Sequence, residues 1–186
     1  MKNLLKKWWF WLIIIVIIVI IASSQGGDKT QQTSKTSEVS TNENKVQELK
    51  IGETWTIEGQ WNLTIDSVTI TEQRNQFSDK TPKQVVYVTY SYENLGYEDN
   101  TGAMEGLYFD LEPGINVTVI DGNGEVAYSY PNNVTTHPQQ TPIGAKCVNA
   151  QSCIGLNNES DSITMNISKY DSNGKQQKIT YKLDVK

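Results

Sequence analysis

Between residues 47 and 186, apolar residues recur at every second position in short runs, which is the spacing of half-buried β-strands rather than of helices. The run Val85–Glu93 combines β-branched and aromatic residues and predicts a central strand. Another alternating run starts at Trp61 and changes phase after Ile65, which predicts a β-bulge near Asp66–Ser67. These runs indicate a domain built from strands.

Turn sequences divide the alternating runs into hairpins. Asp121–Gly124 (Asp-Gly-Asn-Gly) and Asp171–Gly174 (Asp-Ser-Asn-Gly) each lie between two alternating segments and are typical of tight β-turns. Pro113-Gly114 predicts a further turn between the alternating segments Leu107–Leu111 and Ile115–Val119. About seven to nine short strands without helical periodicity predict an all-β fold, an antiparallel β-sandwich. The predicted core includes Val86, Val88, Tyr90, Leu107, Phe109, Ile163, Ile167, Ile179 and Leu183.

The first 22 residues have a different pattern, a continuous apolar run after a basic start. Lys2, Lys6 and Lys7 precede an apolar stretch of fifteen residues from Trp8 to Ala22. At 1.5 Å per residue this stretch spans about 22 Å, short of the ~30 Å hydrocarbon layer unless flanking residues join it. The residues that mark the predicted N-terminal transmembrane helix are Trp8, Trp9, Trp11, Ile13 and Ile21.

Two fates of this segment fit the pattern, a retained signal-anchor and a cleaved signal peptide. The small residues Ala22, Ser23 and Ser24 resemble a weak cleavage site, whereas the tryptophan cluster favours a retained anchor at the membrane interface. Lysines precede the run and none follows it until Lys29, which predicts a cytoplasmic N-terminus. We therefore expect a single-pass membrane protein with an extracytoplasmic C-terminal domain, or, as the alternative, a secreted protein.

A polar segment, residues 23–46, separates this run from the strands. Fourteen of its 24 residues are Ser, Thr, Gln or Asn, and its only large apolar residues are two valines, so it cannot bury enough surface to fold. As a flexible coil it spans about 25–30 Å, which suits a tether, although a glycosylated stalk has a similar composition. The predicted organisation is thus an anchor or signal segment at 1–22, a disordered linker at 23–46 and one β-domain at 47–186.

Charge and histidine content narrow the function. The net charge is −5 and the pI is near 4.9, which argues against a nucleic-acid partner because such partners are bound through Lys and Arg. The chain has one histidine, His137, in a loop context, and no Gly-x-Ser-x-Gly elbow. Asp110 and Glu112 alternate with buried positions and are expected to face solvent rather than to act as a carboxylate pair. We expect no enzyme activity and no cofactor; an extracellular hydrolase is the weaker alternative.

Metal binding is not expected either, and the two cysteines have a structural interpretation. Asp121, Asn123 and Glu125 repeat like the start of a calcium loop, but the glycine and glutamate that such a loop needs further on are absent. Cys147 and Cys153 are separated by five residues, and in an extracytoplasmic domain this pair predicts a disulfide. Two cysteines and one histidine are too few ligands for a zinc site, which needs four. Closing that short loop is worth about 2.4 kcal/mol, and two free thiols are the alternative.

Several segments resemble secreted or membrane-anchored immunoglobulin-like domains of unknown function from Gram-positive bacteria. They are IGETWTI, QVVYVTYSYENLGYED, GLYFDL, DGNGEVAY and GLNNESDSITMNIS, within residues 49–185. The resemblance implies an immunoglobulin-like β-sandwich and an extracytoplasmic location, and it implies no site residues. Many such proteins are lipoproteins, but no cysteine closely follows the apolar run here.

These observations predict a membrane-tethered, extracytoplasmic, non-catalytic binding or envelope-support module at the cell surface. Its partners are the membrane, through the N-terminal segment, and a protein or cell-wall ligand whose identity the sequence does not specify. Candidate recognition surfaces are tyrosine-rich sheet faces and the loops Tyr97–Met104 and Pro131–Ala145, because loops held by a rigid scaffold often carry function. A structural spacer differs from this prediction only in lacking a ligand.

Overall fold

Residues 47–102 and 105–186 are described by the structure, a computed structural model, and their regular secondary structure is entirely β. The strands are β1 (Glu48–Leu49), β2 (Thr54–Ile57), β3 (Trp61–Ile70), β4 (Gln84–Asn94), β5 (Val117–Ile120), β6 (Tyr128–Ser129), β7 (Lys146–Leu156), β8 (Ser162–Tyr170) and β9 (Gln176–Asp184). Across these two ranges, no helix has the length and apolar character needed to cross a membrane. The predicted anchor and linker, residues 1–46, lie outside the described residues.

The strands form two sheets, which confirms the prediction of an all-β fold and is consistent with a β-sandwich. One sheet has four strands in the order β1-β9-β8-β5, and the other has five in the order β2-β3-β4-β7-β6. All neighbouring strands are antiparallel except β1, which pairs in parallel with β9 through Glu48 opposite Thr180. The parallel pair was not predicted, because a two-residue strand has no periodicity to reveal it.

The apolar faces of both sheets contribute to one core, as the alternation predicts. All nine predicted core residues are buried, and they belong to the same apolar cluster. The Tyr181 hydroxyl donates to the Leu63 carbonyl at 2.9 Å, which links β9 of one sheet to β3 of the other. Burial raises the pKa of Tyr181 well above its ordinary value.

The predicted bulge in β3 is present. Ile65 lies opposite Tyr90 and Ser67 lies opposite Thr89, so Asp66 is the extra residue. Because one extra residue reverses the alternation, Val68 faces the core together with Ile65.

Both predicted hairpin turns are also present, with the same local geometry. The Asp121 amide donates to the Glu125 carbonyl at 2.9 Å, and the Asp171 amide donates to the Lys175 carbonyl at 3.0 Å. Each aspartate carboxylate accepts hydrogen bonds from the amides two and four residues later. Gly124 has φ 87°, a left-handed conformation that glycine adopts without strain.

The segment from Leu107 to Leu111 differs from the prediction, because it buries alternate side chains without forming a strand. Its only ladder contact among the described residues is an isolated bridge between Leu107 and Thr141. The Phe109 carbonyl instead accepts a hydrogen bond from the Tyr90 hydroxyl at 3.1 Å, so a side chain replaces a strand partner. Ile115 is fully exposed, and the following strand starts only at Val117.

Candidate functional site

Several tyrosines of the predicted recognition faces are buried, three of them in the core and Tyr130 in a second apolar group. Tyr90, Tyr92, Tyr97 and Tyr130 are buried, and burial is the main cause that raises the pKa of Tyr90, Tyr92 and Tyr97. Tyr92 packs edge-on against Phe109 at 5.5 Å between ring centroids. A flat tyrosine patch is therefore absent from these positions, and recognition has to be sought elsewhere.

A half-buried lysine beside this aromatic group also has a structural role. The Lys169 ammonium donates to the Tyr108 carbonyl at 3.1 Å and lies 4.8 Å from the Tyr97 ring centroid and 5.2 Å from that of Phe109. Burial lowers the pKa of Lys169, while Asp99 acts in the opposite direction. The side chain is thus occupied by contacts within the domain.

Two loops meet on the outer face of the five-stranded sheet and line a cleft between them. They are the 71–83 loop between β3 and β4 and the 130–145 loop between β6 and β7. Beneath them lies a second apolar group, called here the outer cluster, on the face opposite the core. It contains buried Val85, Tyr130 and Cys153, with Tyr87, Tyr128 and Val134 packed against them.

Hydrogen bonds join the two loops to each other and to this cluster. The Asn75 amide N–H donates to the Tyr130 hydroxyl at 2.9 Å, and the Asn75 side-chain amide donates to the Pro131 carbonyl at 2.7 Å. From β4, the Tyr87 hydroxyl donates to the Asn133 carbonyl at 2.8 Å. The loops are therefore fixed relative to the sheet, which reduces the entropic cost of binding a ligand between them.

The cleft between the loops, called here the Arg74 cleft, has a volume of about 510 Å³. That volume is within the range of small-molecule sites, roughly 300–1,000 Å³. It is lined by Arg74, Asn75, Gln76, Phe77, Pro131, Asn132 and Asn133. The 130–145 loop was a predicted recognition loop, whereas the 71–83 loop was missed.

Arg74 is the only arginine of the chain, and it is held in place with no carboxylate partner among the described residues. Its Nη1 donates to the Thr71 carbonyl at 2.6 Å and to the Gln73 carbonyl at 3.1 Å. The two ion pairs of the described residues both use lysines, at 3.2 Å each. Near the guanidinium, the ring of Phe77 is 86% exposed. The cleft thus combines a fixed cation, an exposed ring and amide groups.

A second cleft of about 560 Å³ shares Arg74 with the first and has a different charge. Besides the guanidinium, its lining contains three carboxylates and one ammonium group. The lining residues are Ile70, Glu72, Arg74, Lys83, Gln84, Glu159, Ser160 and Asp161. At its base, the buried Gln84 side chain accepts a hydrogen bond from the Ser160 amide at 2.7 Å. Arg74 therefore lies between a cleft without carboxylates and an acidic one.

The predicted disulfide is not formed, because Cys147 and Cys153 are free cysteines on one continuous strand, β7. Six steps at about 3.3 Å place them on the order of 15–20 Å apart, whereas disulfide-bonded Cα atoms are within about 7 Å. The segment between them had been interpreted as a loop. It contains a bulge with Asn149 at φ 56°, which turns the two side chains to opposite faces of the sheet. Burial raises the pKa of the Cys153 thiol to about 11.

The other residues considered for chemistry lie apart from the Arg74 cleft. His137 is exposed in the 130–145 loop. Asp110 and Glu112 are exposed, as predicted, and the Glu112 carboxylate accepts a hydrogen bond from the Ser129 hydroxyl at 2.6 Å. Within residues 47–102 and 105–186, no group of three or more His, Cys, Asp or Glu side chains is placed to hold a metal ion.

Asp121, which the calcium-like pattern includes, stabilises its turn. Burial raises its pKa, but hydrogen bonds from Asn158 and from the amides of Glu125 and Asn123 outweigh burial and lower it. The predicted loop 97–104 is described only as far as residue 102. Near the start of this loop, the Glu98 amide donates to the Ser172 hydroxyl at 2.9 Å. Both features are therefore parts of the scaffold.

An all-β domain with a loop-lined, positively charged cleft is thus the class of protein that the fold and site define. No known protein family and no curated protein matches the chain. Among solved structures, the yjhA protein from Bacillus subtilis is similar over 74% of this chain and 99% of its own, at 15% identity and a TM-score of 0.47. At that similarity no functional inference is drawn from it.

Proposed function

We propose that the protein is a membrane-tethered extracytoplasmic module, immunoglobulin-like in fold, that binds a component of the cell envelope in the Arg74 cleft without catalysing a reaction. The observation that carries the proposal is the cleft itself, which lies between two loops fixed by hydrogen bonds. Within the described part of the chain, Arg74 of this cleft has no carboxylate partner, and Phe77 is exposed. An exposed aromatic ring buries little apolar surface within its own domain, whereas aromatic rings and arginines are enriched in binding sites.

The location follows from the N-terminal sequence. An apolar run after three lysines, then a polar linker that spans about 25–30 Å, suit a domain held at a short distance from the membrane. From residue 45 onward the chain has 11 basic and 18 acidic residues, a net charge of −7, which keeps such a domain soluble above an anionic surface. A cleaved and secreted form is the alternative for the same domain.

Binding is favoured over catalysis by the side chains that line the cleft. Among the described residues at the Arg74 cleft there is one charged group, and the others are amides, a phenylalanine and a proline. General acid-base catalysis needs a titratable group near pH 7, and covalent catalysis needs an activated nucleophile. An envelope-support role without a ligand is the second candidate, and it is favoured only if the cleft binds nothing.

Location and binding are tested separately. For location, protease is added to intact cells, and the expected result is loss of the β-domain with retention of the N-terminal segment in the membrane fraction. Protection of the domain in intact cells, with digestion only after lysis, contradicts the proposed location. Recovery of the intact domain in the medium, with a new N-terminus near residue 23, supports the secreted alternative instead.

For binding, the detergent-solubilised full chain is co-sedimented with insoluble envelope material. We expect Phe77→Ala to reduce co-sedimentation at least about tenfold, because hot-spot side chains often contribute more than 1.4 kcal/mol. The matched control is Ile115→Ala, which removes a fully exposed apolar side chain from the segment before β5. Equal binding by the two variants, or no binding by the wild type, contradicts recognition at the Arg74 cleft.

A further inference from the structure

We propose that the ligand of the Arg74 cleft is an acidic sugar, a carbohydrate unit that bears a carboxylate. The inference rests on the proposed function, because it names the chemistry recognised by the same cleft. It combines three features of the lining: a guanidinium with free donors, side-chain amides, and an exposed phenyl ring.

The guanidinium of Arg74 is the reason for proposing a carboxylate on the ligand. Arginine has five N–H donors in a planar fork that matches the two oxygens of a carboxylate. In Arg74, Nη1 donates to the Thr71 and Gln73 carbonyls, while Nη2 and Nε have no partner among the described residues. Because the side chain is already positioned by the loop, little conformational entropy is lost when an anion binds to the remaining donors.

The side-chain amides and the phenyl ring are the reason for proposing a sugar as the rest of the ligand. Gln76 and Asn133 line the cleft and each has an amide oxygen and an amide nitrogen, so they can accept from and donate to hydroxyl groups. Phe77 presents an exposed ring, on which the C–H face of a pyranose can pack. A rigid ligand with one anionic group, several hydroxyls and one apolar face satisfies all three features together.

The neighbouring charges disfavour a polyanion with closely spaced phosphates. Beyond Arg74, the second cleft contains the carboxylates of Glu72, Glu159 and Asp161, which repel a strand that continues past the guanidinium. Of the other cations of the 71–83 loop, Lys83 lines the second cleft, and Lys80 donates to the Ser129 carbonyl at 3.1 Å and lies 4.7 Å from the Tyr128 ring centroid. A single anionic group therefore fits the cleft better than a charged polymer.

The test compares sugars that differ only in the anionic group. The full chain in detergent micelles is titrated with D-glucuronate, D-glucose and D-glucose 6-phosphate, and binding is followed by saturation-transfer NMR. We expect glucuronate to bind about tenfold to a hundredfold more tightly than glucose, which is the range of one charge-assisted hydrogen bond. We expect glucose 6-phosphate to bind more weakly than glucuronate, because the three carboxylates that line the second cleft outnumber Arg74 and Lys83, and this excess of negative charge repels a dianion more than a monoanion.

Variants assign the preference to particular side chains. Arg74→Gln should reduce glucuronate binding to the level of glucose, and Phe77→Ala should weaken both sugars by the same factor. Lys178→Gln removes an exposed cation on β9 with the same change in net charge, and it should leave binding unchanged. Near-UV circular dichroism of each variant verifies that the core aromatic residues keep their packing.

Several results would overturn the inference. They are equal binding of glucuronate and glucose, a preference for glucuronate that survives Arg74→Gln, an equal loss in Lys178→Gln, and tighter binding of the phosphate than of the carboxylate. If any of these occurs while envelope co-sedimentation still depends on Phe77, the ligand chemistry is wrong and the proposed function stands. If co-sedimentation is also independent of Phe77, the proposed function fails with it.

Discussion

Asn94, the last residue of β4, is expected to be a major contributor to stability although it is polar. Its side chain has no solvent exposure and makes four hydrogen bonds. The amide nitrogen donates to the Tyr97 carbonyl at 3.1 Å and to the Thr141 carbonyl at 2.9 Å, and the amide oxygen accepts from the Gly96 amide at 3.0 Å and the Tyr97 amide at 2.7 Å. The residue thus connects the end of β4 to the Gly96–Tyr97 turn and to the segment around Thr141.

The Asn94→Ala variant removes all four bonds. At about 1 kcal/mol of net stability per bond, the expected loss is roughly 4 kcal/mol. The Thr141 carbonyl keeps its bond from the Leu107 amide at 2.9 Å, which lowers the loss, whereas the half-buried Gly96 amide and the buried Tyr97 amide lose their acceptor, which raises it. We therefore expect about 3–4 kcal/mol, a large part of the stability of a domain this size.

The measurement is urea unfolding of the fragment 45–186, followed by the fluorescence of Trp55 and Trp61. These are the fragment's only tryptophans, and both are buried in the core. The matched control is Asn116→Ala, an exposed asparagine that should change stability by less than about 0.5 kcal/mol. A loss below about 1 kcal/mol for Asn94→Ala, or a loss equal to the control, would refute the reasoning about buried hydrogen bonds.

An isosteric variant separates the two halves of this network. Asn94→Asp keeps an oxygen for the Gly96 and Tyr97 amides but places a second oxygen against the Tyr97 and Thr141 carbonyls. The folded state then favours the protonated acid, so the stability of this variant should rise as the pH falls. A stability deficit that does not change with pH would indicate that the donor half of the network contributes little.

Three further predictions concern other positions. Gly155→Ala should destabilise the fragment by about 1–3 kcal/mol in urea unfolding, because the added Cβ would lie 2.6 Å from Tyr128 Cε2; an unchanged midpoint contradicts this packing. In folded protein purified without reductant, Cys147 and Cys153 should resist iodoacetamide and then both alkylate in denaturant; a mass showing a disulfide would support the sequence prediction instead. Because hydrogen bonds hold the pKa of Asp121 below its ordinary value, its carboxylate stabilises the fold at neutral pH, and this contribution is lost as the pH falls through that lowered pKa. Asp121→Asn should therefore be less stable than wild type at neutral pH and approach it in acid; a deficit that does not change with pH contradicts the assignment.

The sequence alone determined which segments form strands and which side chains they bury. Alternation is a local property, because a pleated strand turns successive side chains to opposite faces whatever its partners are. For that reason the core positions, the bulge at Asp66 and the turns at Asp121 and Asp171 were all predicted correctly. The prediction was wrong where a segment alternates without a strand partner, as between Leu107 and Leu111.

Only the tertiary structure decided which distant segments contact each other, and the candidate site is formed by such contacts. The 71–83 loop has no periodicity, and its sole arginine becomes a candidate only when Tyr130 and Tyr87 bring Asn75 and Asn133 together across the sheet. The cysteines show the same limit, because their spacing fits a closed loop as well as a strand. The neighbouring strand β4, which is far away in the sequence, keeps that segment extended and the two thiols apart.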